Sequence, residues 1–255
     1  MRRILLAIMT VLLCLPAQAQ FAYRADSLSV PAVKRPSDFD ARQLIAPAAL
    51  MTAGTLIHCF AHDSFDADVK KWALEDWRAG GPRTDFEDWV QYVPLGMSVG
   101  LGFTGVQAEH HWIERVIETG ISYVFLSAVS YGMKALIDSP RPDGVDNKSF
   151  PSGHTNLAFT GAELVRMEYG WGWGGAAYVL ATSVALMRLH NNKHWASDVI
   201  FGAGLGILSA HVGGWLVEPF KNLFGIRIPD NLQFALVPSA DPYTGAVCGT
   251  LAMKF

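Results

Sequence analysis

Three segments between Lys134 and Asp198 hold the residue types that work on a phosphate group requires. The first reads Lys134-x6-Arg141-Pro142, the second Pro151-Ser152-Gly153-His154, and the third Arg188-x5-His194-x3-Asp198. Near neutral pH a phosphate ester carries up to two negative charges and repels anionic attack. A catalyst must therefore neutralise the oxygens, supply a nucleophile and protonate the leaving oxygen. Lys134 offers a point charge, while Arg141 and Arg188 offer planar forks that grip two oxygens each. Pro140 and Pro142 flank Arg141 and stiffen its loop, which limits the entropy lost in positioning it. Taken singly, each cation is an ordinary solvated side chain or a lipid-headgroup contact. The set, in this order, is what carries the reading.

Ser152 and Gly153 precede an apolar helical run, which puts them at a helix N-terminus, where free N–H groups and the helix dipole favour an anion. Gly153 lets the backbone approach closely, and Ser152 also suits a plain N-cap. His194 and Asp198 are four apart and share a face of a helix. Asp198 can accept from one ring nitrogen, fix the tautomer and leave the other nitrogen free to attack phosphorus. His-x3-Asp alone is commonplace and gains weight here from Arg188 upstream. His154 suits the general acid. His190 can line the same pocket, although a plain loop histidine is the simpler reading. His58, His62, His110, His111 and His211 match no ligand spacing, and His110 and His111 beside Glu109 and Glu114 read as a polar helix boundary. With no carboxylate cluster and no Cys/His pattern, the chemistry reads as metal-independent, with no cofactor.

These residues must be positioned by apolar elements. The chain has 255 residues, 51% hydrophobic and 17% charged, with 24 glycines and eight tryptophans. A net charge of -3 without a basic stripe argues against nucleic-acid binding. Residues 1–19 read as a signal peptide: Arg2 and Arg3, an apolar run from Ile4 to Leu15, then Ala17-Gln18-Ala19. A retained anchor is the alternative. Residues 20–43 read as an exported arm, residues 44–220 as the helical domain and residues 221–255 as a C-terminal extension.

Leu44 to Ala61 is an uncharged run of spanning length, and Asp63 to Asp88 is a charged, tryptophan-bearing segment at an interface or on a surface. Val90 to Val106 is apolar and glycine-rich, and Thr119 to Met133 follows. His154 to Arg166 is a helix that keeps Glu163 and Arg166 inside a bundle. Tyr169 to Met187 and Val199 to Val217 are further uncharged runs. The expected fold is all-α, a membrane-associated bundle of about six helices. Period-two alternation in Val247 to Phe255 adds a short C-terminal β-hairpin, with Leu232 to Val237 as partner and Pro238 to Pro242 as turn. Cys59 and Cys248 remain after export, either paired or as free thiols.

The three segments closely resemble the signature of the type-2 phosphatidic acid phosphatase superfamily, K-x6-R-P, P-S-G-H and S-R-x5-H-x3-D, over roughly residues 85–217. The resemblance implies that His194 is the nucleophile, forming a phosphohistidine, that Asp198 orients it and that His154 protonates the leaving group. Lys134, Arg141, Ser152, Gly153 and Arg188 then bind phosphate. Met187 stands where the family has a serine. Vanadium haloperoxidases share this pocket, but they are much longer chains. The exported, apolar character is most similar to bacterial envelope lipid phosphatases acting on undecaprenyl pyrophosphate, phosphatidate or lipid A, with a periplasmic site. The implied partners are a phosphorylated lipid and the membrane, with no obligate protein partner. Three full spans before Lys134 would put the first motif in the cytoplasm, so either one early apolar segment does not span or the bundle is peripheral or soluble in the periplasm. A soluble periplasmic acid phosphatase and a non-enzymatic helical scaffold are the competing readings.

Overall fold

The computed structural model of the protein describes residues 39–228 and the backbone of two strands, 233–240 and 247–254. The segment expected as a signal peptide and most of that expected as an exported arm lie outside the described residues. The described residues fall into two compact units. A helical unit comprises Pro36–Gly100 and Ala108–Asp230, and a smaller one holds Leu101–Gln107 and the two strands.

A turn at Ala41–Leu44 opens the helical unit, with Asp40 accepting from the Arg42 amide at 2.9 Å and Gln43 reaching back to the Asp40 amide. Helix α1 (Ile45–Phe60) follows directly, and its Pro47 sits in the first turn, where no donor is needed. Next come α2 (Ala67–Trp72), between widened turns at His62–Asp66 and Ala73–Trp77, then α3 (Phe86–Val90) and α4 (Val93–Gly100). The long elements are α5 (Trp112–Leu136), α6 (Gly153–His190) and α7 (Ala196–Phe224).

Helix α6 runs out and back. Gly170 breaks it with φ 74° and ψ -173°, a conformation that only glycine adopts without strain. Residues on either side of Gly170 then meet: a Cβ on Gly174 would fall 2.6 Å from the Arg166 Cβ, and Tyr178 donates to Glu163 at 2.7 Å. The expected pair of helices, His154–Arg166 and Tyr169–Met187, corresponds to these arms. Counting them separately, the described residues hold six helices of eight residues or more.

Three helices are long and apolar enough to cross a membrane: Ala41–Phe60, Trp112–Leu136 and Ala196–Phe224. Two segments expected as apolar runs differ. Val90–Val106 is broken into α4 and a single turn at Leu101–Thr104, because Pro94 and closely spaced glycines do not sustain one long helix. The outer arm of α6 begins Trp171-Gly-Trp173-Gly-Gly and falls short of the apolarity of the three spans. The bundle also exposes large apolar side chains while burying several polar ones. Phe60, Val124, Tyr131, Leu136 and Leu223 face outward, while Ser122, Ser130, Asn156, Thr160 and Glu163 are buried. Such a surface suits lipid better than water.

Close helix contacts rest on glycine. A Cβ on Gly206 of α7 would lie 2.4 Å from the Asn156 carbonyl of α6, and one on Gly161 would lie 2.3 Å from the Leu95 amide of α4. A core of Leu126, Phe150, Leu157, Phe201 and Leu205, with Met51, Leu95, Val129, Met133 and Ile137 against it, sits beneath the motif loops. In the smaller unit, β1 (Gln233–Ala240) pairs antiparallel with β2 (Val247–Lys254), Gln233 opposite Lys254 and Ala240 opposite Val247. The first strand therefore continues through Pro238, which the sequence assigns to the turn. A two-stranded ribbon leaves each strand a free edge, where a residue without an N–H is tolerated. Cys59 is an exposed free thiol, and the Cys248 side chain lies outside the described residues.

Candidate active site

The C-terminus of α5, both ends of α6 and the N-terminus of α7 meet at one end of the bundle, and each brings one piece of the motif set. Between α5 and α6, residues 139–149 fold back on themselves. Ser139 donates to the Asn147 carbonyl, Arg141 to that of Asp146 and Ser149 to that of Ser139, each at 2.9 Å. This brace fixes the Arg141 loop beside the Pro151–His154 turn. The Lys134 amine bonds the Lys148 and Ser149 carbonyls at 2.8 and 3.4 Å, so it tethers the loop and does not line the cleft.

A cleft of about 270 Å³ opens there, lined among others by Arg141, His154, Arg188, Glu87, Asp88 and Lys193. Arg141 bonds Asp146 at 2.8 Å and the Lys193 carbonyl at 3.3 Å, and places an N–H 3.4 Å from His194 Nε2. His194 is buried, its Nδ1 lying 3.2 Å from Asp198 Oδ2 and 3.4 Å from the Ser149 hydroxyl. Asp198 is fully buried, and its Oδ2 also accepts from the Trp195 amide at 2.9 Å and from Ser149 Oγ. With Asp198 ionised, His194 donates from Nδ1 and keeps a lone pair on Nε2, the nitrogen nearest Arg141. Burial, with Arg188 and Arg141 adding to it, lowers the His194 pKa to about 4, so the ring is neutral at pH 7.

Ser152 caps α6 from a fully buried position, its amide bonded to the Asp198 carbonyl at 3.2 Å and its hydroxyl to Thr155 at 3.0 Å. The serine amide thus ties motif to motif from behind the cleft. A Cβ on Gly153 would meet nothing within 4 Å, so this glycine leaves room at the helix N-terminus. His154 Nε2 lies 2.9 Å from Asp88, and its pKa falls to about 4, first through burial and then through the charge of Arg188.

Arg188 pairs with Glu87 at 3.2 Å and with Asp88 at 3.7 Å. Asn191 clasps the segment before α3, its amide oxygen accepting from Thr84 N at 3.1 Å and its Nδ2 donating to Thr84 O at 2.7 Å. Glu87, Asp88, Asn191 and Ser149 therefore belong to the site, and sequence reasoning missed them. The first two lie in the charged stretch read as interface or surface. Their signal was the pair of acids itself, next to a motif set with an excess of cations. Asn191 and Ser149 carry no pattern that would have singled them out. His190 packs on Trp77 at 4.9 Å and does not line the cleft. His111 caps α5, accepting from the Ile113 amide at 3.3 Å, which makes it a helix boundary. Among the described residues one group has metal-ligand proximity, His110, Glu118 and Glu168. Its members hydrogen-bond one another, and Glu118 lies sixteen residues before Lys134 on α5, roughly 24 Å along the axis.

Residues 116–222 match the model of the PAP2 superfamily, a stretch that contains every motif residue. A lipid A 1-phosphatase of Porphyromonas gingivalis is 32% identical over 162 residues, which cover 61% of this chain and 36% of that protein. The bacitracin transport permease protein BcrC of Bacillus licheniformis is 40% identical over 99 residues, covering 37% of this chain and 46% of that one. The chain thus spans less than half the length of either curated relative. The crystal structure of a transmembrane PAP2-type phosphatidylglycerolphosphate phosphatase from Bacillus subtilis is similar at 21% identity with a TM-score of 0.48, over 72% of this chain and 99% of that one. The PAP2 superfamily match over residues 116–222 takes in all three motifs in order, and the fold brings one residue of each, Arg141, His154 and Arg188, to one cleft.

Proposed function

We propose that the protein hydrolyses the phosphate monoester or pyrophosphate of an envelope lipid through a phosphohistidine on His194. The observation that carries this reading is the His194 ring, held by Asp198 at Nδ1 with Nε2 turned to Arg141 in the cleft. Arg141 and Arg188 draw the phosphoryl oxygens toward that nitrogen, and the α6 N-terminus at Gly153 adds its free amides. Nε2 attacks phosphorus as the bond to the leaving oxygen breaks, and His154 gives that oxygen its proton. Water then attacks the phosphohistidine, with His154 taking the water's proton, and inorganic phosphate leaves.

The apolar surface of the bundle and the match to a lipid A 1-phosphatase support a lipid substrate at a membrane surface. Motif pieces from α5, α6 and α7 share one end of the bundle, so the site faces one side of the membrane; the resemblance to envelope lipid phosphatases supports the periplasmic side for it. The test is phosphate release from undecaprenyl pyrophosphate, phosphatidate and lipid A, measured side by side for wild type and His194→Ala. We expect release from at least one lipid, an acid-labile phosphoenzyme, and loss of both in the variant. Undiminished release by His194→Ala overturns the mechanism. Release from soluble esters alone, by protein that a carbonate wash frees from membranes, favours the soluble acid phosphatase instead.

A further inference from the structure

Outside the three motifs, the segment from His62 to Lys70 touches both loops that carry them. Asp66 is fully buried, and its carboxylate accepts from the Ser197 amide at 2.9 Å through Oδ1 and from the Ser197 hydroxyl at 2.6 Å through Oδ2. His62 Nδ1 lies 3.0 Å from the same Oδ2, and the ring sets itself edge-on to Trp195 at 4.5 Å. Lys70 donates to the Pro142 carbonyl at 2.9 Å and sits 5.0 Å over the Trp195 ring. Trp195 in turn donates from Nε1 to the Pro140 carbonyl at 2.7 Å. A spacing of four keeps His62, Asp66 and Lys70 on one side of their segment. That side meets the loop of Arg141 and the first turn of α7 together.

We propose that Asp66 is a positioning residue for the phosphatase reaction, capping the first turn of α7 from outside and thereby aiming Asp198 and His194. The N-cap position of α7 is Trp195, whose side chain makes no cap hydrogen bond. The Ser197 amide would otherwise be one of the unsatisfied donors of a helix start, buried where water cannot serve it. Asp66 supplies the acceptor from a distant part of the chain, and its negative charge complements the helix dipole. Ser197 adjoins Asp198, so the clamp sets the pitch of the turn from which the carboxylate reaches His194. The inference rests on the function proposed above.

Asp66→Ala, Asp66→Asn and Ser197→Ala separate the roles, each assayed per folded molecule in detergent. A reacting group displaced by about 1 Å loses on the order of 100-fold in rate. We therefore expect Asp66→Ala to lower kcat by about 10- to 100-fold with KM within about threefold of wild type. Asparagine keeps an oxygen for the Ser197 amide and offers an N–H to its hydroxyl, so Asp66→Asn should recover most of the rate. Ser197→Ala, which keeps the amide bond, should fall between them. Amide hydrogen exchange over residues 195–205 gives a second measurement that needs no substrate. Faster exchange in the first turn of α7 is expected for Asp66→Ala and not for Asp66→Asn. If wild type hydrolyses no lipid phosphate, the proposed function fails while the exchange result still judges the cap. Unchanged kcat in Asp66→Ala, equal loss in the alanine and asparagine variants, or unchanged exchange would each overturn the positioning role.

Discussion

Removing Glu87 tests whether its carboxylate holds Arg188 in place for the phosphate. Glu87 is 2% exposed, and its Oε1 takes hydrogen bonds from Arg188 at 3.2 Å and from Asn191. In Glu87→Ala the guanidinium stays buried without its nearest counter-charge. Breaking a buried pair this way costs about 3 to 5 kcal/mol. The lower end applies, because Arg188 lines the cleft and Asp88, at 3.7 Å, supplies part of the missing charge. For a helical unit of this size about 3 kcal/mol corresponds to roughly 6 to 12 °C in Tm. Glu87→Gln keeps an acceptor for both donors and should lose less than half of that. The assay is thermal unfolding in detergent, followed by tryptophan fluorescence, with and without inorganic phosphate. Phosphate brings back an anion beside Arg188, so it should raise the midpoint of Glu87→Ala more than that of wild type. An alanine variant melting within about 2 °C of wild type, or gaining no extra protection from phosphate, would refute the reasoning.

The free-site pKa values of about 4 for His194 and His154 place the optimum of kcat/KM on the acid side, because His154 must be protonated and loses its proton as pH rises. A bound phosphate offsets Arg188 and Arg141, so the falling limb of kcat should lie at higher pH than that of kcat/KM; coincident limbs would contradict this. Stability has a pH window of its own, measurable as Tm. His194 and His154 have pKa values below the ordinary 6.5, so the native state resists the protons that the unfolded chain takes up, and stability is lost as pH falls from about 6.5 toward 4. His110 is raised to about 9 by its Glu168 partner against the opposing effect of burial, so its contribution is complete below 6.5 and lost as pH rises through 9. Gly161→Ala drives a Cβ into the backbone of α4 at Leu95 and should destabilise by about 3 kcal/mol or more, whereas Gly153→Ala meets open space; equal Tm values for the two would sink the packing argument. Activity should survive EDTA, since in the proposed mechanism His194 supplies the nucleophile and Arg141 and Arg188 the positive charge; loss restored by a divalent ion would reverse that expectation.

The helix order and the three motif pieces were legible because each is local. A helix N-terminus at Ser152-Gly153 and a His-x3-Asp face need only a few neighbouring residues to be recognised. The same locality hid what pairs across long separations. Glu87 meets Arg188 and Asp66 meets Ser197 only after the bundle has formed, and no spacing rule links them. Gly170 lay in plain view between two helical patterns, yet a positive φ is a property of the fold, and periodicity alone could not say that the arms fold back as a pair. Val90–Val106 misled because apolar composition scores alike in a long helix and in a helix broken by glycine and proline. The lysine of the first motif shows the reverse case. Its presence was readable, but its amine serves two carbonyls of the next loop, an allocation that depends on where that loop lands.

Each cation at the mouth of the cleft carries a carboxylate partner: Arg188 has Glu87 and Asp88, Arg141 has Asp146, and Lys193 has Asp143. Unpaired, forks buried this far would repel one another and lose their geometry, since a desolvated charge without a partner is costly. Paired, they are held ready before a ligand arrives, which is what preorganised electrostatic catalysis requires. The partners are not equivalent. The Glu87 side chain is 3% exposed and fixed by Asn191, whereas that of Asp88 is 53% exposed and bridges Arg188 to His154. Exposed pairs contribute little, so in the proposed mechanism Asp88 is the partner that yields to an incoming phosphate and frees Arg188 and His154. A site built of cations alone would bind phosphate tightly from the start. With Glu87 constant and Asp88 yielding, the proposed mechanism lets charge neutralisation strengthen as the substrate seats.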